Sequence, residues 1–158
     1  MRSTTRRGGF TLIEVLIVVV IMAVLAATII PQFSTSAKDA RESNLKFNLQ
    51  SLRTQLELYK LQHLGAYPTG TNNLEQLTKA TDAQGAVSTN GLPDATHPFG
   101  PYVTGALPMQ PFSNVNTVLL DTGMAGTTPT ATAGNGGGWI YRASTGEVWI
   151  DHPTYVTQ

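Results

Sequence analysis

One carboxylate stands inside the longest apolar run of the chain. Glu14 falls within residues 10–30, where the other interruptions are Thr11 and Thr28. A carboxylate costs roughly 2.5–3.5 kcal/mol near the centre of a bilayer and less near an end, so its presence asks for a reason. One reason is positional: in the first turn of a helix it meets the positive end of the macrodipole and can reach the interface. The other is chemical. A cut between Gly9 and Phe10 would leave an ammonium on Phe10, and Glu14 would neutralise that charge on its own chain or on a neighbouring subunit. Pro31 closes the apolar run. It has no N–H and clashes with the carbonyl one turn back, so a kink or a locally melted turn is expected there.

Elsewhere the residues able to do chemistry are few. Calcium asks for six to eight oxygens, several of them from carboxylates. In the last third of the chain Asp121, Glu147 and Asp151 are the acids available. Asp121 and Asp151 each end a predicted strand, and their convergence at one sheet edge would give a calcium site, although aspartate at a strand end is also ordinary turn chemistry. No other cofactor is expected. His63, His97 and His152 lie in separate blocks with no spacing that sets two on one helix face, which argues against zinc and against a Ser-His-Asp arrangement. With no cysteine, thiolate zinc sites, disulfides and cysteine nucleophiles are excluded. The glycines of residues 134–138 lack the Lys-Ser/Thr and the following helix of a phosphate loop. Nothing here argues for an enzyme.

These residues need elements to hold them. The chain has 158 residues, ten Lys+Arg against ten Asp+Glu, and 13% charged residues, about half the common share. No basic face is available for nucleic acid. The charge is uneven, with Arg2, Arg6 and Arg7 in a leader of residues 1–9 that carries no acid. As a helix, residues 10–30 would extend roughly 31 Å, the thickness of a bilayer's hydrocarbon layer. Basic residues on the N-terminal side alone keep that side in the cytoplasm. Three routes then compete. An ordinary signal peptide would be cut after Ala26 or Ala27 and release a soluble protein. An uncut anchor would stay in the membrane. A cut after Gly9 would remove the leader and keep the apolar segment.

Beyond Pro31, residues 34–36 suggest solvated turns, and a second helical pattern begins near Ala37. Leu45, Leu49, Leu52, Leu56 and Tyr59 recur at alternating spacings of four and three. That seam suits a coiled-coil dimer or a stripe packed on the chain's own sheet. Too few heptads are present for the first, and Leu58, Leu61 and Leu64 widen the apolar face in favour of the second. Gly65 and Tyr67-Pro68 should end the helix, giving a segment of residues 31–65.

Residues 66–158 read as a small head. Thr71-Asn72-Asn73 suggests a cap before a short helix, and Gly, Pro and Asn make residues 85–111 irregular. Aromatics beside prolines, Pro101-Tyr102 and Pro111-Phe112, should pin that loop to the core. Strands are expected over residues 115–120, 139–142 and 147–151, the last two joined by a turn ending in Gly146. Residues 123–138 are Gly/Thr/Ala-rich and expected to be mobile. The fold class is α+β: a long N-terminal helix on a small antiparallel three-stranded sheet.

The N-terminal words are specific. Gly9-Phe10-Thr11-Leu12-Ile13-Glu14, behind an arginine-bearing leader and ahead of the apolar segment, resembles the prepilin peptidase site of type IV pilins and type II secretion pseudopilins. Two further groups of residues are similar to the major, G-type pseudopilins. They are Gln55-Leu56-Glu57-Leu58-Tyr59-Lys60 with Tyr67-Pro68-Thr69, and Gly100-Pro101-Tyr102-Val103 with Leu107-Pro108 and Pro111-Phe112. The resemblance implies that prepilin peptidase cuts after Gly9 and methylates Phe10. It sets Glu14 on the family's intramembrane glutamate and Pro31 on its helix-breaking proline. It further implies a single-pass protein of the bacterial inner membrane, its head in the periplasm. An inner-membrane platform with a cytoplasmic ATPase would draw it from the lipid into a helical filament with copies of itself and minor pseudopilins. The alternative is a type IV pilus or competence pilin serving adhesion, motility or DNA uptake. A tethered binding module that never polymerises is the third reading. Past Phe112 the chain departs from the pattern. The Asp-rich calcium loop of the major pseudopilins is not evident, and residues 122–138 contain no carboxylate.

Overall fold

The computed structural model describes residues 9–132 and 137–157 of the chain. They form two compact units, Met1–Ala40 and Arg41–Gln158. The elements, in order, are helix α1 (Leu12–Gln62), helix α2 (Thr71–Thr78) and strands β1 (Val118–Leu120), β2 (Trp139–Arg142) and β3 (Glu147–Ile150). The arginines of the leader and residues 133–136 lie outside the described residues.

Among the described residues, the apolar side chains of α1 in the first unit are exposed. An 18-residue window of this helix reaches a mean hydropathy of 3.0 with none of it buried. Valine and isoleucine are poor helix formers in water, where β-branching restricts their rotamers. In lipid the backbone has to satisfy its own donors and acceptors, and a helix does so within one segment. Pro31 lies inside α1, which is helical on both sides of it. The expected melted turn is absent, and residues 34–36 are helical as well. A proline removes one N–H, a local loss. Around it the hydroxyls of Thr28 and Thr35 donate to the carbonyls of Leu25 (2.9 Å) and Pro31 (3.2 Å).

The second unit uses the same helix differently. Leu45, Leu49, Leu52, Leu56 and Tyr59 are the buried residues of α1. They join Trp139, Tyr141, Val148 and Ile150 of the sheet in one core cluster. The seam is therefore filled by the chain's own sheet. Each fully buried leucine of this kind contributes roughly 1.5–3 kcal/mol. Leu58, Leu61 and Leu64, read as widening that face, are exposed instead. Leu58 and Leu61 fall on the far side of the helix from Leu56, and Leu64 lies beyond its end. That end is closed by Gly65 at φ +84°, whose N–H donates to Lys60 O at 3.0 Å. This left-handed conformation strains any residue with a Cβ.

The sheet has the order β1-β2-β3 and is mixed. β2 and β3 are antiparallel, with Trp139 opposite Ile150 and Arg142 opposite Glu147. β1 runs parallel to β2, with Val118 beside Trp139 and Leu120 beside Tyr141. An all-antiparallel sheet was expected. The difference lies in residues 121–138, a connection long enough to carry the chain back along the sheet, as a parallel pair requires. β1 is shorter than residues 115–120; Val115 pairs singly with Gln110. At Gly138 an added Cβ would come within 2.6 Å of Val115 O, so the chain passes there only as glycine.

α2 opens without the side-chain cap expected from Thr71. Asn72, Asn73 and Leu74 have φ of +47°, +60° and +57°, a left-handed region that asparagine tolerates better than most residues. Asn73 thereby reaches β1: its amide donates to Asn116 O (3.1 Å) and its oxygen accepts from Val118 N–H (2.5 Å). The irregular loop is pinned as expected. Tyr102, Val103 and Phe112 pack on the core, and the Trp139 indole donates to Pro108 O at 2.8 Å.

Candidate processing and assembly site

Gly9, Phe10 and Thr11 precede α1, and all three are exposed. The Gly9–Phe10 bond therefore lies ahead of the helix, between exposed residues. Among the described residues, an added Cβ at Gly9 would meet nothing within 4 Å.

Thr11 and Glu14 start the helix together. Glu14 Oε2 accepts from the backbone N–H of Thr11 (2.7 Å) and from its hydroxyl (2.8 Å). In return the N–H of Glu14 donates to Thr11 Oγ1 at 3.3 Å. This reciprocal pair is a capping box, satisfying donors that the first helical turn leaves open. Both bonds from Thr11 fall on Oε2, so Oε1 stands outside the box. Thr11 was missed as a functional residue, although Thr-x-x-Glu before an apolar run is the sequence signal of this motif. Gly9, Phe10, Thr11 and Glu14 thus form one local site. Pro31 is separate from them, further along α1.

The two aspartates considered for calcium do not come together. Asp121 follows β1 and donates its N–H to Tyr141 O (2.8 Å), at the Arg142 end of β2. Asp151 follows β3 beside Gly138, at the Trp139 end. Convergence required an antiparallel β1; the parallel register sends the two carboxylates to opposite ends of the sheet. Each is also already engaged. Asp121 Oδ2 accepts from Arg142 Nε at 2.6 Å. Asp151 accepts N–H bonds from Thr132 at 2.7 Å and from Gly137. This donor set does not fit a shared ion. Among the described residues no group of three His, Cys, Asp or Glu side chains could hold one.

The histidines are scattered. His63 is buried and stacked on Tyr59 with ring centroids 3.6 Å apart, bonded to Tyr59 O and Thr81 Oγ1 at 2.8 Å each. His97 bonds Asp94, and His152 packs on Phe112 and Tyr155. Hydrogen bonds from Thr96 and His97 hold the Asp94 carboxyl well below the usual carboxylate range. Burial pushes the phenol of Tyr59 up to about 12, and that of Tyr102 likewise.

An exposed apolar helix behind a capped N-terminus points to the class of membrane-anchored proteins. Residues 4–30 match the prokaryotic N-terminal methylation motif. Residues 32–137 match the family of type II secretion system protein G, and the chain belongs to that family. Among curated relatives, each named type II secretion system core protein G, that of Pseudomonas aeruginosa is 38% identical over 74 residues, 47% of this chain and 51% of the relative. That of Escherichia coli K12 is 35% identical over 80 residues, 51% of this chain and 54% of the relative. The match to the Klebsiella pneumoniae protein extends over 110 residues at 32% identity, 69% of this chain and 71% of the relative. The chain spans about half the length of the first two relatives. No solved structure matches it.

Proposed function

We propose that this chain is a structural, non-catalytic subunit of a type II secretion pseudopilus, matured by prepilin peptidase at Gly9–Phe10. The observation that carries the reading is the apolar part of α1, exposed along its length and preceded by an accessible Gly9–Phe10 bond. Cleavage there removes the basic leader and leaves the apolar helix on the mature protein, with a methylated amine on Phe10. Before assembly the subunit crosses the inner membrane once, head outside, because the positive charges of the leader stay in the cytoplasm.

Assembly exchanges lipid around the helix for packing against neighbouring helices, copies of this chain and minor pseudopilins. Glu14 gives that exchange a register. Its Oε2 is held by Thr11, and Oε1 takes no part in the capping box. The ammonium of Phe10, on the same or an adjacent subunit, supplies the charge that makes a carboxylate tolerable in an apolar interior. Pro31 leaves one carbonyl without its helical partner and gives the rod a place to bend.

Cross-linking of membranes from cells that overexpress the assembly machinery tests the proposal. Wild-type protein should give a ladder of oligomers. Glu14→Ala should be cleaved normally and remain monomeric. A wild-type ladder from that variant would remove Glu14 from assembly, and monomer alone from the wild type would favour a tethered module that does not polymerise.

A further inference from the structure

The connection between β1 and β2 is fastened to the sheet by charge. Arg142, the last residue of β2, is 1% exposed although it is a cation. Its Nε donates to Asp121 Oδ2 at 2.6 Å and one terminal nitrogen lies 2.5 Å from the same oxygen. That terminal nitrogen also donates to Thr127 O (2.8 Å) and Thr127 Oγ1 (3.3 Å). The other donates to Glu147 Oε2 at 3.1 Å. The guanidinium carbon lies 4.8 Å from the centre of the Trp149 ring, whose face attracts a cation. Gly123 closes the cluster: a Cβ there would come within 3.0 Å of the guanidinium and 3.2 Å of the Asp121 carboxylate.

Around this one guanidinium stand two carboxylates, a backbone carbonyl and a hydroxyl. Those are the donors a hard divalent cation gathers. Here the positive charge is part of the chain, and its planar fork of N–H groups meets several oxygens at once. A second cation at the same oxygens would face an adjacent buried positive charge. At the opposite end of β2, Asp151 holds the returning chain by accepting the N–H groups of Thr132 and Gly137.

We propose that Arg142 is the built-in cation of the β1–β2 connection: it fastens residues 121–127 to the sheet through Asp121 and Thr127, and the head folds without a bound divalent ion. Arg142 is the buried member of the cluster; removing it takes from Asp121 its ion-pair partner and from Thr127 its donor, while Glu147, 40% exposed, keeps the hydroxyl of Thr145. The connection should then detach while the hairpin persists. The inference concerns the head alone and stands apart from the filament reading.

The test uses the full-length chain in detergent micelles, with thermal melting and hydrogen exchange read by mass spectrometry. Wild-type protein in millimolar calcium chloride and in excess chelator should melt at the same temperature. A calcium-dependent rise of several degrees would overturn the proposal. Arg142→Gln should speed exchange of residues 121–127, where the N–H groups of Asp121 and Thr127 are bonded, at least tenfold, in either solution. Protection equal to wild type in that variant would overturn it too. Should Arg142→Gln not fold, Asp121→Asn serves. It leaves Glu147 for the guanidinium and should free residues 121–127 while the β2–β3 amides stay protected; unchanged exchange in residues 121–127 would equally contradict the role.

Discussion

α1 passes through both units of this protein with opposite fates for its apolar side chains. Within Met1–Ala40, Val18, Val20 and Ile21 are about half exposed and Phe10 is 89% exposed. Within Arg41–Gln158, the leucines of the seam are almost wholly buried under β2 and β3. The second stretch is amphipathic and finds its partner in its own chain. The first is apolar on nearly all sides and too wide for any single face of a small head to cover. A narrow apolar seam predicts an internal core, and an apolar cylinder predicts lipid or other helices.

The largest expected effect lies at the boundary of the leader. Gly9→Val should abolish cleavage, so that the protein isolated from membranes retains residues 1–9 at full mass. Normal maturation of that variant would remove the processing site. A smaller but large effect belongs to the core: Leu52→Ala should destabilise the head by about 2–5 kcal/mol, read as a lowered denaturant midpoint. Val18→Ala, the matching truncation in the first unit, should leave head stability within about 0.5 kcal/mol. Equal losses from the two would erase the distinction between the units.

The mildest effect is on pH dependence. Burial, with a smaller contribution from the neighbouring Tyr102 and Asp82 charges, raises the Tyr59 phenol from 10.0 to about 12. Burial also raises Tyr102 from 10.0 to about 12. Between those values the unfolded chain loses its phenolic protons before the folded one does. The stability these protons confer is complete below pH 10 and is lost as the pH rises toward about 12. Melting of the head should show that decline. Tyr59→Phe should flatten it, and an unchanged slope in that variant would rule Tyr59 out as its source.

Much of this was written in local patterns. The seam from Leu45 to Tyr59 was legible because its period reports one face directly. The β2–β3 hairpin was legible from two short apolar runs around a glycine-ended turn. β1 was found but given the wrong direction. A three-residue strand contains no record of its orientation, and the long connection after it permits a parallel return. The expected meeting of Asp121 and Asp151 failed for that reason alone. Arg142 was hidden similarly: its partners Asp121 and Thr127 are brought to it by the parallel register. At Pro31 the turn does not melt, since the helix continues on both sides of it. At Asn72 and Asn73 the residue type hinted at a turn, but the tie to Asn116 and Val118 that uses it is long-range.

The account stands on the position of the cut. Intact mass and N-terminal sequencing of the mature protein from membranes measure it directly. The account predicts a chain beginning at Phe10, with one methyl group on its amine and the whole apolar helix retained. A mature chain beginning near Thr28 and found in the soluble fraction would contradict it.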